Sequence, residues 1–182
     1  MAAVPIMNAA IAGSEPVVLA PGQLFFGCPP GAVQTLLGSC VAITLWHPEH
    51  RCGGMCHYLL GRPNSTGTDK TMKPSGYYAS EAIKFLAARV LATGCRPKSF
   101  EAKMFGGGQM FENSIMAASP IDVAGDNVEI GLALLDKNGF RLRAADTGGD
   151  RYRKVFLDLA SGEVRVWYGR SANGSVCVER GI

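Results

Sequence analysis

Cys40 and His57 lie seventeen residues apart, and each borders a run of alternating residues that reads as a β-strand. A thiol beside an imidazole is suited to acyl transfer, because the histidine takes the thiol proton and the thiolate attacks a carbonyl carbon. If His47, Pro48, Glu49 and His50 form the loop of a hairpin, paired positions sum to 97 and Cys40 stands directly across from His57. Directly opposed side chains share a face with Cβ atoms about 4.5–5.5 Å apart, within reach of a thiol–imidazole contact. A slip of one residue would send them to opposite faces. Gly38 permits close backbone approach to a substrate, and the amides around Ser39 to Val41 could receive an oxyanion. The other reading of Cys40 is a buried strand thiol, since cysteine is among the most buried residue types.

Two further constellations could carry chemistry. His47, His50, Cys52, Cys56 and His57 place five sulfur or imidazole groups within eleven residues, the ligand types that suit zinc. Their spacing matches no established zinc pattern, and on a strand His57 points away from Cys56, so turn histidines and packing cysteines are the expectation and no metal is assigned. The glycine runs Gly106-Gly107-Gly108 and Gly148-Gly149 each follow a strand-like segment. They read as tight turns, as backbone nests for an anion, or as glycine needed for close approach beside a site. Neither has the spacing of a nucleotide-binding loop.

The elements that must hold these residues follow from periodicity. Seven strand-like segments fall at 23–26, 41–46, 55–60, 100–105, 141–145, 154–159 and 163–168, the last two joined by Ala160-Ser161-Gly162. Ala79, Ala82, Ile83, Leu86 and Val90 recur at helical spacing after a start at Pro74-Ser75, and Gly94 stops the helix. A second helix is predicted from Asp126 as cap, through Val128, Leu132 and Leu135, to Asn138-Gly139. This is an α+β chain, a layered domain of sheet with two long helices.

The chain has 182 residues, the length of one domain, with residues 1–22 as a partly ordered Ala-rich arm and 23–182 as the folded unit. Apolar residues make up 47% and charged residues 18%, too apolar a balance for disorder. A net charge of +3, scattered along the chain, argues against nucleic acid, and no apolar run is long enough to insert in a membrane. Six cysteines are far below the density of a disulfide scaffold and read as free thiols in a cytoplasmic protein.

Taken together, Leu37-Gly38-Ser39-Cys40-Val41, Gly54-Met55-Cys56-His57, Tyr78-Ala79, Lys103-Met104-Phe105-Gly106-Gly107 with Met110-Phe111, and Asp146-Thr147-Gly148-Gly149 with Arg153-Lys154-Val155 resemble the CheD family of chemoreceptor glutamine deamidases. The blocks run in order from about residue 23 to residue 168. The resemblance implies an α/β sandwich similar to the catalytic domain of the cytotoxic necrotizing factors. It also implies a Cys-His-Thr triad in which Cys40 and His57 carry over directly. One form of the family pattern has threonine six residues before the cysteine, where this chain has Gln34; Thr35, five before, is the threonine assigned to orient His57. Tyr152 replaces a glycine before Arg153. The implied activity converts glutamines of methyl-accepting chemotaxis receptors to glutamate through a cysteine thioester, from a Cys40 thiol whose proton has already passed to His57, with no cofactor. Gly38, Ser39, Gly106 and Gly107 are expected beside the substrate, and the segment 61–74 is a candidate rim. The CheC phosphatase is an implied partner. A non-catalytic adaptor for receptor or phosphatase, and a cysteine amidase acting on another protein amide, are the competing classes.

Overall fold

The computed structural model describes residues 15–63, 76–110, 122–169 and 179–181. Among these residues, two five-stranded sheets and two α-helices form three layers. The first sheet orders β1 (Val17–Leu19), β3 (Ala32–Leu37), β8 (Tyr152–Asp158), β9 (Val164–Gly169) and β10 (Glu179–Gly181). The second orders β2 (Leu24–Gly27), β5 (Cys52–Tyr58), β4 (Val41–His47), β6 (Glu101–Gly106) and β7 (Arg141–Thr147). Helices α1 (Ala79–Ala92) and α2 (Val123–Lys137) cover the outer face of the second sheet. The layered α+β sandwich with two long helices is therefore as expected from the sequence.

Burial along each strand follows from its layer. β4 and β5 lie in the middle layer and are buried on both faces almost throughout. β3 and β8 alternate, because one face packs inward and the other meets solvent. Two apolar cores result. Ile43, Leu45, Cys56, Tyr58, Ile83, Leu86, Met104 and Leu135 fill the space between helices and sheet. Val33, Leu37, Ala42, Met55, Phe105, Val155, Leu157 and Val166 fill the space between the two sheets. Asn127, buried in α2, ties the helix layer to β5 by donating from Nδ2 to the Leu59 carbonyl (2.7 Å), while its own carbonyl receives the Tyr58 hydroxyl (2.8 Å).

Several boundaries differ from the sequence expectation. The β4–β5 hairpin pairs His47 with Cys52, so its loop is Pro48–Arg51 and paired positions sum to 99 rather than 97. Arg51 makes this loop by adopting φ +48°, a left-handed conformation that arginine rarely takes and that residue type does not announce. β5 accordingly starts at Cys52, three residues before the predicted strand, and ends at Tyr58. α1 begins at Ala79, and Gly94 closes it at φ +78°. α2 begins at Val123 with Asp122 as cap, whose carboxylate accepts from the Gly125 amide at 2.9 Å, one turn before the predicted Asp126.

Three strands went unpredicted. β3 has no clean alternation because its outward Leu36 is apolar and 63% exposed. β1 and β10 have three residues each and exist only through their pairing with β3 and β9. β1 falls within the predicted N-terminal arm, whose residues 1–14 lie outside the described residues.

Candidate active site

The three residues assigned to a triad come from three different elements. Thr35 is on β3 of the outer sheet, His57 is on β5 of the middle sheet, and Cys40 ends the turn that carries the chain from β3 to β4. The site is therefore a seam between the sheets, closed on the inside by the inter-sheet core.

His57 is 1% exposed and Thr35 is 2% exposed. The Thr35 hydroxyl donates to the Leu19 carbonyl at 2.8 Å and lies 2.7 Å from His57 Nδ1. A hydroxyl has one proton, so with that proton on Leu19 its oxygen must accept from Nδ1–H. This fixes the tautomer: neutral His57 carries its proton on Nδ1 and a lone pair on Nε2. Backbone bonds pin the same residue, since the His57 amide donates to the Gln23 carbonyl (2.9 Å) and its carbonyl accepts from the Gly22 amide (2.8 Å). Leu19 is the participant that sequence reasoning missed. It acts through a carbonyl, which leaves no mark in residue type, and it lies in a segment read as an arm.

Nε2 of His57 is buried and has no hydrogen-bond partner among the described residues. Buried ring nitrogens are rarely left orphaned, and such an acceptor is what a general base needs. Extending the β4–β5 register one step past Val41 puts Cys40 on the same face as His57. Ala42 pairs directly with His57, and Cys40 precedes Ala42 by two, so Cys40 and His57 are diagonal neighbours on the face that packs between the sheets. The expected direct opposition is thus replaced by a diagonal, because the hairpin register moved by two; an even shift keeps both side chains on one face. Cys40 is half-buried, and the turn residues Gly38 and Ser39 are similarly accessible.

Burial sets the electrostatics. It pushes the Cys40 thiol above its ordinary value, opposed by the residue's own backbone amide. It pushes His57 down to about 4, opposed by the Leu19 carbonyl. Both shifts favour neutral forms, so the free site holds thiol and imidazole rather than thiolate and imidazolium. In the free site the Cys40 proton therefore stays on the sulfur, where the sequence expectation had put it on His57, because burial disfavours both charged forms.

The glycine runs position the turn that carries Cys40. The Gly107 amide donates to the Cys40 carbonyl and the Gly108 amide to the Gly38 carbonyl, both at 2.9 Å. Gly106 has φ +109°, and a Cβ there would stand 2.2 Å from the Cys40 carbonyl oxygen, so only glycine fits. Those two amides are committed to the turn, which leaves the amides of Ser39 and Cys40 as the nearer candidates for an oxyanion. The second run interlocks with the first: the Gly148 amide donates to Gly106 (2.9 Å) and the Gln109 amide to Gly149 (2.7 Å). Buried Arg153 holds this second loop by donating to the Asp146 carboxylate (3.0 Å) and the Gly148 carbonyl (2.8 Å), while the Tyr168 hydroxyl also donates to Asp146.

Beside the glycines a groove of about 400 Å³ is lined by Gly107, Gln109, Val128, Leu132 and Thr147, among others. Of the predicted rim, residues 64–74 lie outside the described residues. Cys56 pairs with Ile43 and packs toward the helices, on the opposite face of β5 from His57; burial pushes its thiol up to about 12.

The architecture is a two-sheet sandwich with a cysteine, a histidine and a threonine converging on the seam. The family described as CheD chemotactic sensory transduction matches residues 61–167. The chain is 40% identical over 154 residues to "Probable chemoreceptor glutamine deamidase CheD" of Pseudomonas syringae pv. tomato, covering 85% of this chain and 89% of that protein. It is 36% identical over 148 residues to the protein of that name in Methanococcus vannielii, covering 81% and 92%. The chain belongs to the CheD family. Among solved structures, Bacillus licheniformis hypothetical protein YfiH aligns with TM-score 0.46 and 10% identity over 73% of this chain and 60% of that one, a likeness on which nothing here rests.

Proposed function

We propose that this chain is a protein-glutamine deamidase of chemotaxis receptors, with Cys40 as nucleophile, His57 as general base and acid, and Thr35 as the residue that positions His57. The observation that carries the reading is the chain of bonds from the Leu19 carbonyl through Thr35 to His57 Nδ1, which leaves Nε2 buried, with a lone pair and no partner among the described residues, on the face shared with Cys40. The names of its relatives supply the substrate class.

The steps follow from that arrangement. A glutamine side chain enters from the Cys40 side, the exposed side of the seam. As the sulfur attacks the carboxamide carbon, the thiol proton moves to His57 Nε2 and the carbonyl oxygen becomes an oxyanion. His57 returns the proton to the departing nitrogen, so ammonia leaves and a thioester remains. Water then gives its proton to Nε2 and attacks the thioester carbon, and the sulfur leaves with that proton as the thiol of Cys40. The product is glutamate, one negative charge more than the amide, on a receptor surface where charge biases signalling.

This chemistry uses no metal or organic cofactor. It requires Cys40 as a free thiol, in keeping with a reducing cytoplasm, and the five described cysteines are all free. No helix among the described residues is long and apolar enough to cross a membrane. The CheC phosphatase belongs to the same reading, as a partner competing with receptor for the surface around Cys40.

The test is mass spectrometry of a receptor cytoplasmic fragment incubated with the protein. Glutamines gaining about 1 Da with wild type and none with Cys40→Ala are expected. Equal conversion by Cys40→Ala would refute the mechanism, and no conversion of any receptor by wild type would leave the adaptor reading in its place.

A further inference from the structure

At the end of β4 away from Cys40, side chains from three separated parts of the chain meet. The ligand atoms of His47, His50 and Cys95 all lie within 4.8 Å of one another. His47 and His50 flank the first residues of the β4–β5 loop, and Cys95 follows the turn that closes α1. Cys52 stands directly opposite His47 across the hairpin. Continuing the β2–β5 register by one step past Gly27 and Gly53 brings Cys28 opposite Cys52. The Cys52 thiol is buried and neighbours both Cys28 and Cys95. Five sulfur and imidazole groups thus share one corner.

We propose that this corner is a binding site for a zinc-class divalent cation, with His47, His50 and Cys95 as ligands and the fourth position open to water or to the neighbouring Cys52 thiol, which stands outside that group of three. Zinc–nitrogen and zinc–sulfur bonds of about 2.0–2.3 Å at tetrahedral angles set ligand atoms about 3.3–3.8 Å apart, so the His47, His50 and Cys95 atoms need close by only about 1 Å. Two imidazoles and a thiolate form a ligand set that selects zinc over magnesium or calcium. The site would join the ends of α1 and the β4–β5 hairpin, which lie apart in sequence. It stands about 20 Å along β4 from the Cys40 end, too far to share in the chemistry there.

The free-state geometry is compatible with this ligation. The His47 and His50 rings lie 4.5 Å apart between centroids, tilted at 55° to each other. His47 Nδ1 accepts weakly from the Glu49 and His50 amides at 3.3 and 3.2 Å. A neutral imidazole that coordinates through one nitrogen carries its proton on the other. Loading therefore exchanges those two long bonds for one metal bond. The sequence held His47, His50 and Cys52 in view but grouped them with Cys56 and His57, which the fold sends elsewhere; Cys95 is brought in by α1.

The experiment uses the full chain, free of a histidine tag, reduced and stripped of metal, titrated with Co²⁺ alone. Expected are one equivalent of Co²⁺ with the visible absorption of a tetrahedral site, thiolate-to-cobalt charge transfer in the near ultraviolet, and displacement by Zn²⁺. His50→Ala and Cys95→Ser alter exposed or half-exposed residues, and each is expected to weaken binding at least tenfold; Cys40→Ala leaves it unchanged. Absence of the tetrahedral spectrum, or equal affinity in the His50→Ala/Cys95→Ser double variant, would overturn the proposal.

Discussion

Replacing Thr35 by valine keeps the shape of the side chain and removes its hydroxyl. The oxygen between the Leu19 carbonyl and His57 Nδ1 disappears, and both groups are left buried beside a methyl. Orphaning a buried polar group costs about 1–3 kcal/mol, so the two together are expected to lower stability by about 3 kcal/mol. For a chain of this size that corresponds to a fall in Tm of roughly 10 °C. Catalysis suffers separately. Without a partner at Nδ1, His57 can carry its proton on Nε2 or turn its ring, and either removes the base. If holding the tautomer is worth about 2 kcal/mol, kcat falls roughly thirtyfold at 1.36 kcal/mol per decade. KM should hold, because Thr35 is buried away from the substrate side. Thr35→Ser restores the hydroxyl and should recover most of kcat. The assay is ammonia release from receptor fragment at a temperature where every variant is folded, with Tm measured on the same samples. A Thr35→Val variant within twofold of wild-type kcat, or a serine variant no better than valine, would refute the positioning role.

Three other substitutions or titrations test the same geometry. His57 is held near 4 in the fold against 6.5 unfolded, so the unfolded chain binds the extra proton between those values. Stability is then full above about pH 6.5 and declines by about 3 kcal/mol as pH falls to 4; urea midpoints across that range should flatten in His57→Gln relative to wild type. Because burial raises the Cys40 thiol, alkylation of Cys40 should be slow at neutral pH and climb above pH 9, and a rate plateau between pH 5 and 8 would reveal an ion pair instead. Gly106→Ala forces a Cβ against the Cys40 carbonyl at a φ that alanine avoids; displacement of the nucleophile by about 1 Å predicts a loss of order a hundredfold in kcat, with Tm measured alongside to separate unfolding from misplacement.

What could be read from the sequence depended on how local its cause was. β4 and α1 were legible because each buries residues with the period of its own backbone, two and about 3.6. β3 was not, although it carries Thr35, because Leu36 breaks the alternation on the solvent face. The hairpin between Cys40 and His57 was visible, and its register was off by two because Arg51 takes a left-handed conformation. The meeting of Thr35 with His57 had no local signal at all. The two belong to different sheets, and spacing rules describe neighbours within a strand pair or along a helix. Only the resemblance to a family pointed to Thr35, and it could not supply Leu19.

The seam between the sheets explains why the resting pair is neutral and why that suits a protein substrate. Burial from both sides holds the His57 ring still, and the same burial strips it and Cys40 of the water that would stabilise charge. A permanent thiolate would need a compensating cation, and it would be the form most open to oxidation. The neutral thiol avoids both, at the cost of transferring its proton during attack. A bound glutamine offsets that cost only if its carbonyl oxygen finds donors as charge develops, the role proposed for the amides at Ser39 and Cys40. Reactivity then depends on the substrate being seated, so free Cys40 should react sluggishly with small electrophiles while the same residue turns over a docked amide.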